Sequence, residues 1–374
     1  MQPETLYTIA LTRLPYFNLI GLLEVYKRAG SATCIIDNCH NITDLFPDAH
    51  PQFIEAMKNI DKALERAEYE AEKIQSMGIK AFCFNDLDYP QRLKECVDAP
   101  LVVYYYGNGN LNPRHVLSIV GTRHCTSYGR DRISELLTEL KQACPDMLIV
   151  SGLAYGVDIA AHRDALENGF ETVGVLAHGL DDLYPRLHRD TAARMVQQGG
   201  LLTEFPTRTQ PVARNFIQRN RIIAGMADAT LLVESARKGG GLITCEIAQA
   251  YDREVFAFPG NIGAPYSEGC NRLIQKNAAA LLTSASDLLQ MMNWENDLRL
   301  AEAKKRGIER SLFPNLSPEE TTIIHALKKN NDLQINLLSA KTTIPISQLS
   351  ALLFELEMKG IVRTLAGGCY HLMA

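Results

Sequence analysis

The residues best suited to bind a charged ligand lie in one stretch of this 374-residue chain, residues 205–227. The stretch has no acidic residue, although the whole chain carries a formal net charge of −5. One of its two aromatic residues, Phe216, stands among four cations, Arg208, Arg214, Arg219 and Arg221. Positive charge beside a flat ring suits single-stranded nucleic acid, because cations hold phosphates and the ring stacks on a base. Taken alone, the stretch is more typical of a solvated helix face, and its surroundings change that balance.

Glycines and basic residues follow several predicted strands at the point where each strand ends. Residues 121–123 (GTR) follow VLSIV, residues 151–156 (SGLAYG) follow MLIV, and residues 234–241 (ESARKGGG) follow ATLLV. Open parallel sheets bind ligands at this edge, where helix N-termini offer unpaired N–H groups to phosphate. Glycine lets a phosphate approach without a side chain in the way. A tight turn explains any single glycine, but three such turns with Arg123 and Lys238 beside them predict an anion site.

Catalytic and cofactor signatures are weak in this sequence. It has no GxxxxGK[ST] loop, and SGLAYGVD lacks the GxGxxG spacing of a dinucleotide site. Glu246, just past the glycine run, is either a base in a nucleotide hydrolase or a first-turn helix acid favoured by the dipole. His162 either contacts a ligand or packs. Cys34, Cys39 and His40 have no second cluster at zinc-ligand spacing. We therefore expect no catalytic residue, no cofactor and no metal.

Composition indicates an ordinary globular protein, with 46% apolar and 22% charged residues. The pI of about 6.0 excludes a basic coat over the whole surface, so nucleic-acid binding has to come from a local patch. The nine scattered cysteines are typical of reduced thiols. The sequence shows no leader and no apolar run of bilayer length. We expect a soluble, cytoplasmic protein with no membrane partner.

Strands and helices alternate regularly from residue 116 to about residue 282. The predicted strands are VLSIV, MLIV, TVGVL, LLTE, ATLLV and VFAF. Alternation of this kind indicates parallel pairing with right-handed crossovers, and the continuous apolar runs fit strands buried on both faces. The fold class is therefore α/β, with a Rossmann-like, mostly parallel sheet as the central domain. Two further predicted strands, IKAFCF and LVVYYYG, precede it.

The chain divides into four predicted segments. Residues 1–75 form a small helical domain of the SAM or helix-hairpin-helix type, and residues 76–294 form the Rossmann-like domain. Residues 295–316 form a polar linker, and residues 317–374 form a winged helix-turn-helix of three helices and a hairpin. The third of these helices, SQLSALLFELEMKG, is not basic. Contact with a protein or auxiliary contact with DNA is therefore the preferred role for this module over duplex binding.

The motifs in the central part of the chain resemble those of the DNA-processing protein A family (DprA/Smf). They include SIVGTRHCTSYG, VSGLAYGVDIAAHRDAL, FIQRNRIIAGMADATLLVES and GGGLITCEIAQAYDREVFAFPG, in family order over roughly residues 79–282. The resemblance implies a Rossmann-like domain that binds single-stranded DNA without catalytic turnover. It also implies loading of RecA recombinase onto single strands in natural transformation, and a homodimer formed through the central domain.

The resemblance and the glycine turns together give a set of expected DNA contacts. They are Gly121, Thr122, Arg123, Ser151, Gly152, Ala154, Phe216, Arg219, Asn220, Arg221, Lys238, Gly240, Gly241 and Thr244. We expect phosphates on the turn N–H groups and arginines, and a base stacked on Phe216. The alternative from another class is a hydrolase of the lysine-decarboxylase-like type that cleaves nucleoside monophosphates with Glu246 as its base.

Overall fold

The structure is a computed structural model, and it describes residues 1–16, 18–294, 316–359, 361–365 and 368–372. These residues form two compact units that divide at residue 295. The predicted linker, residues 295–316, lies outside the described residues except for Leu316.

A nine-stranded sheet forms the centre of the first unit as far as the chain is described. Its strands are β1 (Lys80–Cys83), β2 (Val102–Gly107), β3 (Val116–Val120), β4 (Leu148–Ser151), β5 (Glu171–Val175), β6 (Gly199–Thr203), β7 (Ala229–Leu232), β8 (Glu254–Ala257) and β9 (Ala280–Leu281). They pair in the order β1-β2-β6-β5-β4-β3-β7-β8-β9. Neighbours from β6 to β9 are parallel, whereas β1 and β2 join antiparallel at one edge. The predicted Rossmann-like, mostly parallel sheet is confirmed.

Both faces of the sheet are covered, which is why its strands are apolar throughout. Alternate side chains of β3 enter two different cores: Leu117 and Ile119 enter one, and Val116 and Val120 enter the other. The helices of this part are α7 (Gln91–Lys94), α8 (Ser127–Ala143), α9 (Val157–Glu167), α10 (Arg189–Gln197), α11 (Ala213–Gly225), α12 (Gly240–Ala250), α13 (Glu268–Gln275) and α14 (Ala285–Met291). A strand buried on both faces has no polar side to alternate, so its sequence is a continuous apolar run.

The strand order reverses at the middle of the sheet. Strands β4, β5 and β6 extend to one side of β3, and strands β7, β8 and β9 extend to the other. Connections on the two sides of such a switch point diverge, which leaves a crevice beyond the carboxyl ends of β3 and β7. The sequence motif GTR follows β3, and the motif ESARKGGG follows β7.

Short helices precede the sheet and share a core with it. They are α1 (Pro3–Leu11), α2 (Leu19–Ala29), α3 (Ala32–Asp37), α4 (Ile42–Leu45), α5 (Pro51–Met57) and α6 (Ile60–Ser76). The core residues Ile9 and Phe53 belong to the same apolar cluster as Val102 of β2. Helix α6 also contacts the loop after β6. There the buried Glu70 carboxylate accepts hydrogen bonds from the Thr207 N–H and hydroxyl. The predicted boundary at residues 75 and 76 stays a prediction.

The helical segment from Pro51 to Ser76 is two helices, α5 and α6, and not one. It breaks at Lys58 and Asn59, and the Asn59 backbone (φ −100°, ψ 18°) is not helical. Asparagine competes for backbone hydrogen bonds and so favours helix ends over interiors. Gly30 closes α2 with a φ of 78°, a left-handed conformation that glycine adopts readily.

The second unit has the predicted winged-helix fold. Its helices are Pro318–Lys329, Ile335–Thr342 and Ile346–Met358, and its strands are β10 (Leu333–Gln334), β11 (Val362–Leu365) and β12 (Cys369–Leu372), paired in the order β10-β12-β11. The first helix opens with a capping box between Ser317 and Glu320. Leu349, Leu353 and Leu356 of the third helix are fully buried in the core of this unit.

The helices that the structure describes were compared with the length and hydropathy that a membrane span requires. No single one of them is long and apolar enough to cross a bilayer. The helices Ile335–Thr342 and Ile346–Met358 together have the length and composition of a membrane span, but the pair is bent by 106°.

Candidate nucleic-acid interface

A cavity of about 480 Å³ lies at the switch point of the sheet, and we call it the Phe216 cavity. Its floor is the pair of turns that follow β3 and β7. Helices α11 and α12 form two walls, and the turn after β4 and the loop after β8 complete the rim. The lining side chains and backbone groups come from Val120, Gly121, Thr122, Arg123, His124, Ala154, Asp158, Ala213, Phe216, Ile217, Arg219, Asn220, Ile223, Ser235, Ala236, Lys238, Gly239, Gly240, Gly241, Ile243, Thr244 and Tyr266.

The turn after β3 is fixed by backbone hydrogen bonds to its neighbours. The Thr122 N–H donates to the Glu234 carbonyl at 2.8 Å, and the Val157 N–H donates to the Thr122 carbonyl at 3.1 Å. Gly121 has no room for a side chain, since a Cβ there would lie 2.6 Å from Cγ2 of Val157 and 2.8 Å from the Glu234 carbonyl oxygen. Glycine at this position therefore lets β3 and β7 end side by side.

Helix α12 presents its N-terminus to the cavity. The residue before it is Gly239, which has no side chain that could cap the N–H groups of the first turn. A Cβ added to Gly240 would meet nothing within 4 Å, whereas one added to Gly241 would lie 2.7 Å from Cδ1 of Leu232. Gly241 thus serves packing and Gly240 leaves open space over the helix end. Unpaired N–H groups and the helix dipole make such an end a site for an anion.

Alanine at Gly121 and at Gly240 tests which of the two glycines is required for packing. Gly121→Ala is expected to lower the free energy of unfolding by about 1–3 kcal/mol, because the new methyl group overpacks against backbone that cannot yield. Gly240→Ala is the matched control and is expected to stay within about 0.5 kcal/mol of the native chain, since it meets open space. Urea denaturation of both variants measures the difference. Equal losses would show that crowding at Gly121 is not the reason for the glycine.

Two exposed cations stand at the rim of the Phe216 cavity. Arg123 follows β3, and Lys238 precedes α12; both are exposed. Neither side chain forms an ion pair with any residue that the structure describes. The Arg123 guanidinium carbon lies 5.6 Å from the centre of the Phe216 ring. Unpaired cations at a helix N-terminus concentrate positive potential in the cavity.

Phe216 is half-buried in the wall formed by α11. The guanidinium carbons of Arg123 and Arg219 lie 5.6 and 5.8 Å from its ring centre, and Tyr184 meets it edge-on at 5.9 Å. The contacts hold the ring in place on several sides. Asn220, beside it on the same wall, has no hydrogen-bond partner for its amide within the described ranges. A fixed ring and a free amide are suited to the flat face and the polar edge of a base.

Arg219 braces the wall behind Phe216. It is only 4% exposed, and it donates hydrogen bonds to the carbonyls of Gly152, at 2.7 Å, and Val175. The Asp158 carboxylate, in the first turn of α9, accepts the N–H groups of Gly152 and Ala154 at 3.2 and 3.3 Å. Burial lowers the pKa of Arg219 to about 10, an effect that Asp158 opposes, so the guanidinium remains charged at neutral pH. It supplies positive potential to the cavity while its hydrogen bonds stay within the protein.

Most of the residues predicted to contact DNA meet at this cavity. Those that line it are Gly121, Thr122, Arg123, Ala154, Phe216, Arg219, Asn220, Lys238, Gly240, Gly241 and Thr244. Ser151 and Gly152 lie beneath it instead. The Ser151 hydroxyl donates to the Ile119 carbonyl at 2.5 Å, and Gly152 is covered by the Arg219 guanidinium. These two residues shape the turn after β4 and offer little surface to a ligand.

Arg221 requires a correction, because the structure places it away from the cavity. It is 5% exposed, its guanidinium lies 2.5 Å from a Glu204 carboxylate oxygen, and it also donates to the Asp98 carbonyl. Burial lowers the pKa of Arg221, but the carboxylates of Glu204 and Asp98 raise it more, so its guanidinium is charged. A residue five positions after Phe216 on a helix points to a different face. We therefore leave Arg221 out of the interface.

Several lining residues were missed by sequence reasoning. His124, Asp158, Ser235 and Tyr266 all contribute to the cavity. Ser235 lies within the predicted stretch 234–241 and His124 directly follows residues 121–123, so their position after a strand was a usable signal. Tyr266 lies in the loop after β8, and its approach to the cavity depends on tertiary packing that has no short-range signature.

The two side chains for which a catalytic or ligand role was left open lie elsewhere. Glu246 is exposed on α12 and does not line the Phe216 cavity. His162 is fully buried, with Nδ1 2.7 Å from the Thr172 hydroxyl, and burial lowers its pKa to about 3. His162 is therefore neutral and packs. Nowhere in the described ranges do three or more metal-ligating side chains cluster.

Comparison with protein families gives two matches along the chain. A family model described as DNA recombination-mediator protein A matches residues 80–293. A second, described as DprA winged helix domain, matches residues 310–368. Among individual relatives, the DNA processing protein DprA of Streptococcus pneumoniae is 37% identical over 63% of this chain and 80% of its own length. Protein Smf of Escherichia coli is 33% identical over 76% of this chain and 75% of its own length.

Solved structures of similar proteins have the same architecture. The X-ray structure of DNA processing protein A from Streptococcus pneumoniae superposes with a TM-score of 0.66 at 32% identity, covering 78% of this chain and 98% of that one. A structure of DNA processing protein A from Helicobacter pylori gives a TM-score of 0.52 at 26% identity, covering 57% of this chain and 95% of that one. The latter is described as giving insight into a single-stranded DNA binding mode.

Proposed function

The chain belongs to the DNA recombination-mediator protein A family, and from that premise we propose that its first unit binds single-stranded DNA in the Phe216 cavity. The observation that carries the proposal is the meeting of three features in one cavity. These are the open N-terminus of α12, the exposed cations Arg123 and Lys238, and the ring of Phe216. The single-stranded DNA binding ascribed to the Helicobacter pylori relative supports the same conclusion.

Phosphate and base would occupy different walls of the cavity. A phosphate accepts hydrogen bonds from the N–H groups at the start of α12, and Arg123 and Lys238 neutralise its charge. A base stacks on Phe216, next to the free amide of Asn220. Since these contacts read the backbone and one base face, we expect little sequence preference. Arg219 keeps Phe216 in position without itself reaching the strand.

In the wider role that we propose, the bound strand is passed to RecA recombinase during natural transformation. We also propose a homodimer formed through the first unit, and no catalytic turnover. The resemblance to DprA and Smf proteins supports these points. We place the activity in the cytoplasm, since Cys34, Cys39, Cys83, Cys96, Cys125, Cys144, Cys245, Cys270 and Cys369 are all free thiols, as is usual in a reducing compartment.

The competing hydrolase function receives no support from the arrangement of the site. Its base, Glu246, would have to face a mononucleotide in the Phe216 cavity, but this carboxylate is exposed on α12 outside the lining. Incubation of the protein with nucleoside monophosphates therefore serves as a blank beside each DNA-binding assay. Release of a base that Glu246→Gln abolishes would overturn the proposal of a non-catalytic protein.

Removal of the Phe216 ring tests the proposed function most directly. Phe216→Ala is expected to weaken binding of oligothymidylate by about 5- to 150-fold, the range that corresponds to about 1–3 kcal/mol of stacking. The slope of log affinity against log salt should stay unchanged, because no phosphate contact is removed. Fluorescence anisotropy across a KCl series measures both quantities.

Two further variants separate the aromatic ring from mere bulk at this position. Phe216→Leu keeps apolar volume against Tyr184 and should bind as weakly as the alanine variant, whereas Phe216→Trp should bind at least as well as the native chain. If a folded Phe216→Ala protein retains native affinity, or if its salt slope falls with its affinity, the stacking role is refuted.

A further inference from the structure

A second cavity, of about 460 Å³, adjoins the Phe216 cavity at the same edge of the sheet. We call it the Tyr128 cavity. It lies beyond the carboxyl end of β8 and is lined by Thr126, Tyr128, Glu234, Pro259, Gly260, Asn261, Ala264, Pro265, Tyr266 and Ser267. Tyr266 lines both cavities, so its ring stands where a strand would pass from one to the other.

Tyr266 is held at this place by the backbone around it. Its carbonyl accepts the Ser235 N–H at 2.7 Å, and the Gly269 N–H donates to the Ser235 carbonyl at 2.9 Å. A Cβ on Gly269 would lie 2.6 Å from the Ala236 carbonyl oxygen, so the loop packs directly on the turn after β7. The Tyr266 ring is stacked with that of His124, with centres 6.0 Å apart and planes 24° from parallel. A ring fixed before binding loses little entropy when a ligand stacks on it.

The shared Tyr266 ring, and not net charge, favours a path toward the Tyr128 cavity over the other neighbouring cavity. Within the described chain, the acidic lining of the Tyr128 cavity is Glu234 alone, a buried carboxylate that accepts the Thr126 N–H and hydroxyl at 2.8 and 2.7 Å. The neighbour on the opposite side, the Asp164 cavity of about 600 Å³, shares Arg123 and His124 but carries the acidic residues Asp131, Asp164 and Glu167. Arg130 and Arg163 also line it, so its charges are mixed. The three arginines of the Asp164 cavity balance its three carboxylates, so charge does not exclude the strand from it, whereas the Tyr128 cavity shares Tyr266 with the Phe216 cavity.

We propose that the strand leaves the Phe216 cavity over Tyr266, whose ring, stacked on His124, binds a further unpaired base of the same strand. This inference rests on the proposed function and gives the strand a direction across the sheet edge. The Tyr128 cavity receives the nucleotide that follows, with Tyr128 available as an additional apolar surface. The ligand class is an unpaired nucleobase of any sequence, since a ring face accepts every base.

A scan with abasic oligonucleotides tests whether the Tyr266 ring stacked on His124, which we call the platform, binds a base. The shortest oligothymidylate with full affinity for the native full-length chain is first determined in a series of about 4 to 16 nucleotides, and its length fixes the register. Each base of that oligonucleotide is then removed in turn, leaving sugar and phosphate. Two separate positions should each weaken binding about fivefold or more. Phe216→Ala should abolish the penalty at one of them, and Tyr266→Ala should abolish it at the other.

Matched variants distinguish the ring from the fold. Tyr266→Phe keeps the ring and should retain both penalties, because the Tyr266 hydroxyl has no hydrogen-bond partner in the described part of the chain. Tyr155→Ala removes a ring of the Asp164 cavity that is 41% exposed and should also retain both. Should Tyr266→Ala fail to fold, His124→Ala removes the other member of the stack and should reduce the penalty at the same position.

The outcomes separate this inference from the function on which it rests. If Phe216→Ala weakens binding but folded Tyr266→Ala and His124→Ala keep native affinity and both penalties, the platform is refuted and the proposed function stands. If Tyr155→Ala abolishes the second penalty, the strand runs through the Asp164 cavity and the inference is overturned. If the native chain binds no oligonucleotide of any length, the proposed function fails and this inference fails with it.

Discussion

Arg221→Ala is expected to lower the free energy of unfolding by about 3–5 kcal/mol, because it leaves the buried Glu204 carboxylate without its partner. The side chains of Arg221 and Glu204 are 6% and 7% exposed and lie 2.5 Å apart. The second oxygen of Glu204 has no hydrogen-bond partner among the residues described here, so Arg221 is the cation that compensates this buried carboxylate. Urea denaturation followed by circular dichroism measures the loss.

Three companion variants test this explanation. Arg214→Ala removes an exposed cation from the same helix, α11, and is expected to change stability by no more than about 0.5 kcal/mol. Glu204→Ala should cost less than Arg221→Ala, since Arg221 keeps its hydrogen bond to the Asp98 carbonyl and lies 4.0 Å from the Asp98 carboxylate. The double variant Arg221→Met, Glu204→Leu should recover most of the loss, because apolar residues of similar volume replace the pair. A stable Arg221→Ala protein that has lost DNA binding would instead return Arg221 to the interface.

The contrast between Arg221 and its neighbours shows what sequence alone could not supply. Four arginines in a short stretch predicted a basic surface, but the three of them that lie on α11 point to different faces of that helix. Phe216, Arg219 and Asn220 recur at the spacing of one helix face, whereas Arg221 is turned toward Glu204 and Asp98. The helical spacing was available in the sequence, but the carboxylates that meet Arg221 come from distant segments.

The fold was more accessible to prediction than the site, for a physical reason. Strands buried on both faces leave continuous apolar runs, so β3, β4 and β7 were readable from composition. Because the strands pair in parallel, the glycine turns after them were expected at the same edge of the sheet, beyond the carboxyl ends of the strands. Contacts across the sheet edge, such as Tyr266 above the turn after β7, depend on loop packing between residues far apart in the chain.

Loss of DNA binding is the expected result of removing both exposed cations, in the double variant Arg123→Ala, Lys238→Ala. Affinity for oligothymidylate should fall by about a hundredfold or more, because each hydrogen bond to a charged group contributes about 1.5–3 kcal/mol. Both side chains are exposed and free of ion pairs within the described residues, so the fold should be unaffected. Near-native stability in urea would establish that the loss concerns binding.

The salt dependence shows whether these two cations contact phosphate. For a single strand, each neutralised phosphate contributes about 0.7 to the slope of log affinity against log salt, so the slope should become shallower by about 1.4. The control Lys62→Ala, Arg194→Ala makes the same change in net charge at exposed positions outside the Phe216 cavity and should leave the slope unchanged. An equal effect from both doubles would mean that net charge alone attracts the strand. A selective effect of the Arg123 and Lys238 pair, beside an unchanged slope in Phe216→Ala, would assign phosphate to the cations and the base to the ring.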